Sequence, residues 1–401
     1  MAEAPAPKRR AAVALLLMMV LLGVFPLDVV LPSFPALAEH FRRSPTDIAF
    51  SISLFAIGIS LSQLLIGPLS DILGRKSLLL AGMAVSIIGA AGCVLSTDYG
   101  WFLFFRCVQA LGCGCFVLSQ ALVQDLFMGQ ERDRLRIMMV TASGVFISIS
   151  PLAGTWLQQA FDWPGSFALF IALAAVVFIS VWLLLEDLWP ETQPSHGIWQ
   201  SYRTVCRDPG FVGYWLIAAI AFTCHFSFIV VSPLLFMQQL QFSAYEFSLA
   251  LLMYGAAYVL GGIIARLLSG RLSASTQITL GLALIVCAGG LMRVLSHQTG
   301  LTPISVLLPM IVCTAGTTIA RPIATSKAMD VFPRLAGTAA SVGNTLVFIC
   351  GGAISALINL SPTDLQTTLA SSFIVLSLTA LGLNALIDRR QRAHSLPPPA
   401  V

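Results

Sequence analysis

One carboxylate and one guanidinium of this sequence lie inside runs of apolar residues that are long enough to cross a membrane. Asp28 stands in LLGVFPLDVVLPSFP, residues 21–35, and Arg106 stands in FFRCVQALGCGC, residues 104–115. A charged side chain at membrane depth costs about 2.5–3.5 kcal/mol on insertion scales, so it normally faces a water-filled cavity or a buried partner. These two side chains are therefore the first candidates for a functional role.

A carboxylate such as Asp28 can carry protons, because its charge state changes as its access to water changes. Asp28 lies about five residues before the end of one predicted span and Arg106 about five residues after the start of another, so both lie roughly 8 Å below the outer surface. We predict that they face one cavity, with Arg106 modulating the protonation of Asp28. The alternatives are a purely structural ion pair for Asp28 and a snorkelling anchor for Arg106.

The composition of the chain places it in a membrane. Of its 401 residues, 57% are hydrophobic and only 10% are charged, with a mean hydropathy of +0.88. Soluble globular domains have about a quarter of their residues charged. Because the apolar runs are long and lack the ten-residue alternation of an outer-membrane barrel, we predict an all-α polytopic membrane protein.

Twelve runs are long enough to span a bilayer, which takes about 20 apolar residues. We predict spans at 11–33, 46–67, 77–97, 101–123, 136–159, 165–185, 211–236, 244–266, 276–295, 301–323, 335–359 and 366–387. The stretch 186–210 is too polar to span and is predicted to be a cytoplasmic linker. It separates an N-terminal six-helix bundle, 1–185, from a C-terminal six-helix bundle with a short cytoplasmic tail, 211–401.

The basic residues predict the orientation. With the N-terminus inside, seventeen of the 22 Lys and Arg residues fall on the inner side, and only Arg42, Arg43 and Arg293 fall on the outer side. Since basic residues stay in the cytoplasm, we predict a multi-pass protein of the bacterial cytoplasmic (inner) membrane with both termini cytoplasmic. The net charge of +4 then reflects topology in a lipid bilayer, and no nucleic-acid partner is expected.

No enzymatic or metal chemistry is predicted. The pair Cys113 and Cys115 has no His or further Cys at ligand spacing, so no metal is expected. No phosphate-binding G-x-x-x-x-G-K-[ST] loop occurs, and no cofactor is expected. An intramembrane enzyme would need a nucleophile with a base or paired carboxylates at membrane depth, and the sequence supplies neither.

The segment GPLSDILGRK, residues 67–76, carries the first family resemblance. It resembles the signature of the major facilitator superfamily between helices 2 and 3, G-x-L-x-D-x-x-G-R-K. The resemblance implies the major facilitator fold, twelve transmembrane helices in two pseudo-symmetric six-helix halves. It also implies that Asp71 acts with Gly67, Gly74, Arg75 and Lys76 as a conformational latch.

Two further segments resemble motifs of drug/proton antiporters. The run from Arg106 to Gly112 is similar to R-x-x-Q-G-x-G of helix 4, with Ala110 in place of one Gly. The resemblance implies a role in proton transfer for Arg106, and we assign Gln109 of the same run to the substrate cavity.

The fifth predicted span resembles the helix 5 motif G-x-x-x-G-P-x-x-G-G through Gly144, Pro151 and Gly154, although Ser150 and Thr155 replace two glycines. Gly and Pro in membrane helices also serve packing alone, and this alternative stays open. Together with the prolines that follow Asp28, these motifs make the chain most similar to the bicyclomycin/chloramphenicol resistance branch.

The second half has no acid in the interior of a predicted span, so protonation is assigned to the first half. The second half is expected to contact substrate through Phe222, His225, Phe226, Tyr254 and Tyr258. Aromatic side chains with a few polar groups suit an amphipathic ligand. They equally suit packing against lipid, and His225 could be either a second proton site or a residue bonded to a neighbour.

Arg321 precedes Pro322 in the tenth predicted span. It is either a contact for an anionic substrate or a snorkelling residue, and we favour snorkelling.

The predicted function is secondary active transport of a small molecule against protons. We expect a monomeric exporter of small hydrophobic or amphipathic drugs that works by alternating access. The alternatives are a dedicated exporter of one endogenous metabolite, such as a siderophore or an amino-acid derivative, and a proton-coupled importer.

Overall fold

The computed structural model describes residues 6–127, 129–185, 198–269, 271–332, 335–361 and 364–395. All regular secondary structure in these residues is helical, which confirms the all-α prediction. Some side chains within the helices lie outside the described residues, including that of Asp71.

The helices of the first part of the chain follow one another with short connections. They are α1 (Ala6–Asp28), a 3-10 helix (Leu31–Ser33), α2 (Phe34–Phe41), α3 (Pro45–Leu73), α4 (Arg75–Leu95), α5 (Tyr99–Cys113), a 3-10 helix (Gly114–Val117), α6 (Leu118–Leu126), α7 (Gly129–Phe161) and α8 (Pro164–Leu184).

The second part of the chain begins with a short helix and continues with long ones. These are α9 (Ile198–Arg207), α10 (Pro209–Pro233), a π-helix (Leu234–Gln239), α11 (Ala244–Ser269), α12 (Ala274–Thr299), α13 (Pro303–Val331), α14 (Ala336–Asn359) and α15 (Leu365–Ser395).

Eleven helical segments in the described residues are long and apolar enough to cross a membrane. Each coincides with one of the twelve predicted spans. The remaining predicted span, 136–159, lies in α7, a continuous helix of 33 residues in which several side chains lie outside the described residues. The prediction of a multi-pass membrane protein is confirmed.

Side-chain caps set the starts of several spans. The Ser44 hydroxyl accepts a hydrogen bond from the backbone N–H of Asp47, and the Asp47 carboxylate accepts one from the backbone N–H of Ser44. This reciprocal pair satisfies two donors that a helix start leaves without partners. Thr302 and Ser305 form the same arrangement at the start of α13.

The chain forms two compact units. The first contains Met1–Ile198 and Ser232–Ala256, and the second contains Trp199–Val231 and Ala257–Val401. In the first unit α1 packs on α7 and α8, and α4 packs on α5 and α8; in the second, α12 packs between α13 and α15. The two six-helix halves with a linker at 186–210 stay a prediction, and residues 186–197 lie outside the described residues.

Both α10 and α11 contribute to each unit. Pro233 closes α10, and a π-helix follows directly. Because Pro has no N–H and its ring crowds the carbonyl four residues earlier, the α-helical pattern of hydrogen bonds is interrupted there.

The short helix α9, which precedes α10, exposes the side chains of Trp199 and Cys206.

Candidate functional site

The site in the first unit is built on a break in the first membrane segment. The helix α1 ends at Asp28, and a 3-10 turn at Leu31–Ser33 leads into α2. An uninterrupted helix would need the N–H of residue 32 to bond the carbonyl of Asp28, but residue 32 is proline. The proline ring would also collide with that carbonyl. Pro32 therefore ends the helix at Asp28.

Asp28 is buried at this break, with 7% of its surface exposed. Among the described residues, none forms a hydrogen bond or an ion pair with its side chain. A buried carboxylate without a partner is costly when it is ionised. A group in this position is therefore sensitive to any change that admits water or a cation.

Arg106 of α5 is buried as well, with 1% of its surface exposed. Its Nη2 donates to the backbone carbonyl of Pro26 at 3.2 Å, and its Nη1 donates to Oε1 of Gln109 at 2.8 Å. Its Cζ lies 4.1 Å from the ring centroid of Phe55 and 5.6 Å from that of Phe167. The end of α1 provides the first acceptor, because the last carbonyls of a helix lack N–H partners.

The structure thus brings Arg106 to the segment that carries Asp28, at a carbonyl two residues before it. The two side chains form no ion pair in the described structure, and the prediction that they face one cavity stays a prediction. Two of the five guanidinium N–H groups donate instead to a backbone carbonyl and to a side-chain amide oxygen. Both of these acceptors are neutral, so neither compensates the positive charge of Arg106.

Two further helices close around the break. The Ser166 hydroxyl of α8 donates to the carbonyl of Val29 at 3.4 Å. A Cβ placed on Gly154 of α7 would lie 2.1 Å from the Val29 carbonyl oxygen and 3.3 Å from Cδ of Pro32. A small cavity remains, and it is lined by Pro26, Val29, Val30, Arg106, Gln109, Ser166, Phe167 and Phe170. Of the helix 5 motif residues, Gly154 is the one that packs on this site.

The other residues of that motif lie along α7. The carbonyl of Gly144 accepts a hydrogen bond from Ser148 at 2.8 Å, and the carbonyl of Pro151 accepts one from Ser248 of α11 at 3.0 Å. The Thr155 hydroxyl contacts the Ser248 hydroxyl at 2.5 Å. Sequence reasoning missed Ser248, because a single serine in an apolar helix carries no signal of its partner.

The predicted latch segment joins α3 to α4. Gly74 has φ of +87°, a conformation that favours glycine, and it separates the two helices. The Arg75 Nη1 donates to the hydroxyl of Ser70 at 2.5 Å. Gly67 and Lys76 are half-buried, and the side chain of Asp71 lies outside the described residues. The latch role of these residues stays a prediction, and Ser70 is a contact that the motif did not identify.

Four of the predicted substrate-contact residues form a cluster in the second unit. Phe222 stacks on Phe226 with ring centroids 5.3 Å apart, and it lies 6.4 Å from His225. His225 in turn lies 5.6 Å from the ring of Tyr258. Tyr254, one turn earlier in α11, is buried in the first unit instead.

The cluster has two members that were not predicted to belong to it. Phe348 of α14 meets Phe222 edge to face at 5.3 Å. The Cζ of Arg321 lies 4.7 Å from the Phe222 ring centroid. No sequence signal identified Phe348, whereas the sequence showed Arg321 as a charge within a span and left open its role as a contact for an anionic substrate.

Comparison with known proteins gives the family. The family model of the Major Facilitator Superfamily matches residues 13–356. The chain is 25% identical over 388 residues to a chloramphenicol resistance protein of Pseudomonas aeruginosa, covering 94% of this chain and 90% of that protein. It is 26% identical over 385 residues to multidrug resistance protein D of Escherichia coli (strain K12), covering 94% of this chain and 95% of that protein.

A solved structure shows the same fold. The crystal structure of a D-xylose-proton symporter aligns with a TM-score of 0.75 at 15% identity, covering 93% of this chain and 97% of that one. The all-α fold, the membrane spans and the transporter prediction agree with these findings. Because the family model spans most of its length, this chain belongs to the Major Facilitator Superfamily of membrane transporters.

Proposed function

We propose that this transporter is a drug/proton antiporter of the bicyclomycin/chloramphenicol resistance branch. It exports small hydrophobic or amphipathic compounds by alternating access, as a monomer in the bacterial inner membrane with both termini in the cytoplasm. The names of the chloramphenicol and multidrug resistance relatives support the substrate class. The motifs around Arg106 and Gly154 support the antiporter assignment.

The observation that carries the proposal is the burial of Asp28 at the broken end of α1 with no described partner. In the proposed cycle, Asp28 takes a proton from the outer side and releases it inward when substrate binds. Arg106 acts as a positioning residue, because its charge favours the ionised carboxylate and its hydrogen bonds hold the end of α1. Asp71 and Arg75 act as the conformational latch between α3 and α4.

The proton gradient is sufficient for such an exchange. One proton that enters against no chemical gradient yields about 2.3 kcal/mol per 100 mV. Tenfold accumulation of a neutral substrate costs about 1.4 kcal/mol, so one proton sustains a gradient of about fortyfold at that voltage.

The test uses everted vesicles that are energised so that their interior is acidic, with a pH-sensitive dye as the readout. A panel of lipophilic cations, neutral phenicols and candidate metabolites is added to vesicles with wild type, Asp28→Asn and Glu39→Gln. Glu39 is the matched control, since it is an exposed acid of α2 a short distance along the chain.

We expect several unrelated compounds to cause proton release in wild type and in Glu39→Gln but not in Asp28→Asn. Proton release that persists in Asp28→Asn would remove Asp28 from the mechanism. A response to a single metabolite would replace the drug antiporter with a dedicated exporter.

A further inference from the structure

Arg321 is a cation within the α13 span that lacks an anionic partner. The described residues provide neither a hydrogen-bond acceptor nor a carboxylate for its guanidinium, which contacts the face of Phe222. An arginine at membrane depth normally pairs with an acid or a carbonyl, or faces a water-filled path. The absence of such a partner for Arg321 from the described residues therefore needs a physical explanation.

The depth of this guanidinium argues against snorkelling. Phe222 lies two residues before the centre of the 31-residue segment Pro209–Gln239. A guanidinium 4.7 Å from that ring is therefore near the middle of the segment and not at its end. A snorkelling arginine would extend toward the headgroups, away from the central ring.

No acid of the second unit reaches this depth in the described structure. Its acids are Asp208, Asp330, Asp364 and Asp388, and each lies at or near a helix end. Asp330, which shares α13 with Arg321, is nine residues further on, or about 13 Å along the axis. The charge of Arg321 is thus not balanced by a carboxylate of its own unit.

The groups around Arg321 are those that would hold an aromatic ligand. Phe222, Phe226 and Phe348 provide ring faces and edges, and His225 and Tyr258 lie next in the same chain of ring contacts. A carboxylate fits the planar guanidinium through two parallel hydrogen bonds. Aromatic rings favour offset or edge-to-face contact with another ring.

We infer that Arg321 and the surrounding rings form a binding site for an amphipathic organic anion, an aromatic compound that carries a carboxylate. The carboxylate pairs with Arg321, the aromatic body packs on Phe222 and Phe226, and His225 and Tyr258 supply further polar contacts. This inference rests on the proposed function, because it names the substrate class of the same exporter. Within that class, it identifies amphipathic compounds with an acidic group as those that this site binds most tightly.

The test compares naphthalene-2-carboxylate with naphthalene-2-carboxamide, which have similar shape and differ in charge. Binding to the purified full-length protein in lipid nanodiscs is measured by calorimetry without a proton gradient. We expect the carboxylate to bind at least about tenfold more tightly than the amide, because its hydrogen bonds to Arg321 are charge-assisted. Equal binding of the two probes, or no binding of the carboxylate, would overturn the inference.

Three variants test whether Arg321 is the residue that causes the preference for the carboxylate. Arg321→Gln is expected to remove the preference for the carboxylate, and Arg321→Lys to keep part of it. Lys327→Gln, an exposed cation of the same helix, is the matched control and should keep the full preference. A preference that survives in Arg321→Gln would contradict the assignment.

Phe222→Leu separates the ring from the charge. It should weaken both probes by about three- to tenfold, because a stacked aromatic pair contributes about 0.5–1.5 kcal/mol, while the carboxylate stays preferred. If Arg321→Gln does not fold, the comparison of the two probes on wild type and on Phe222→Leu still tests whether the site prefers the carboxylate. The binding measurement needs no proton gradient, so it stays valid if proton exchange fails in vesicles. In the same way, a failure of the carboxylate to bind would leave the proton-exchange measurement valid.

Discussion

Arg106 and Arg321 are both arginines inside membrane helices, but their surroundings are opposite. Arg106 is fully enclosed and donates to the Pro26 carbonyl and the Gln109 amide oxygen. Arg321 is half-buried, and in the described structure its guanidinium contacts the face of Phe222 and has no hydrogen-bond acceptor. The sequence predicted one of them as functional and the other as a surface anchor.

The difference shows how to separate a structural charge from one that is available to a ligand. A guanidinium that is bonded to the protein holds two helices together, as Arg106 joins α5 to the end of α1. A guanidinium without an acceptor contributes little to the fold and remains able to bind. The buried fraction of an arginine does not distinguish a structural charge from one that is available to a ligand. The hydrogen-bond acceptors of its N–H groups do.

The largest expected effect is that of Asp28→Asn on transport. The substitution keeps the size of the side chain and removes its protonation, so proton-coupled transport should be lost entirely. It also removes a buried carboxylate that has no partner among the described residues, so the unfolding temperature in detergent should stay the same or rise. A lower unfolding temperature would show that Asp28 has a stabilising partner.

Arg106→Gln and Arg321→Gln should separate the two arginines by stability. Loss of Arg106 leaves the Pro26 carbonyl and the Gln109 oxygen without a donor, at a cost of about 1–3 kcal/mol for each buried group. Loss of Arg321 removes only a cation–π contact of about 0.5–1 kcal/mol. Urea unfolding of the two purified variants gives the comparison, and equal losses would contradict it.

Gly154→Ala tests how closely α7 packs on the break. The added methyl group would collide with the Val29 carbonyl, and overpacking of this kind costs about 1–3 kcal/mol. The control is Gly290→Ala in α12, where no atom lies within 4 Å of the new Cβ. Thermal unfolding should show destabilisation at Gly154 and none at Gly290, and the reverse order would exclude the proposed packing.

Phe55→Leu should have a smaller effect than Arg106→Gln. It removes the ring that lies 4.1 Å from the Arg106 guanidinium and keeps both hydrogen bonds, so we expect a loss of about 0.5–2 kcal/mol. Urea unfolding of the purified variant measures this loss, as for Arg106→Gln. A loss larger than that of Arg106→Gln would mean that Phe55 acts through packing and not through the arginine.

The membrane spans and the motif residues could be predicted because their signal is local. An apolar run of about 20 residues, a proline after Asp28 and a charge within a span are all visible in the sequence. The depth of Arg106 also followed from its distance to the span end. The structure places the Arg106 guanidinium at the Pro26 carbonyl, two residues before Asp28.

The partners of these residues could not be predicted, because they are set by how helices pack. The choice of the Pro26 carbonyl over the Asp28 carboxylate depends on the position of one helix end relative to α5. The contact of Phe348 with Phe222 depends on the rotation of α14 about its axis. The sequence pattern of an apolar helix defines neither the position of a helix end nor the rotation of the helix about its axis.

The exposed thiol of Cys206 gives the chain a natural reporter of sidedness. It lies on α9, outside the candidate spans, whereas the exposed thiol of Cys287 lies within the apolar segment Ala274–Thr299. A membrane-impermeant maleimide reaches a thiol in water and not one that faces hydrocarbon. Labelling of intact cells against everted vesicles therefore reads which face of the membrane α9 occupies, with no engineered cysteine.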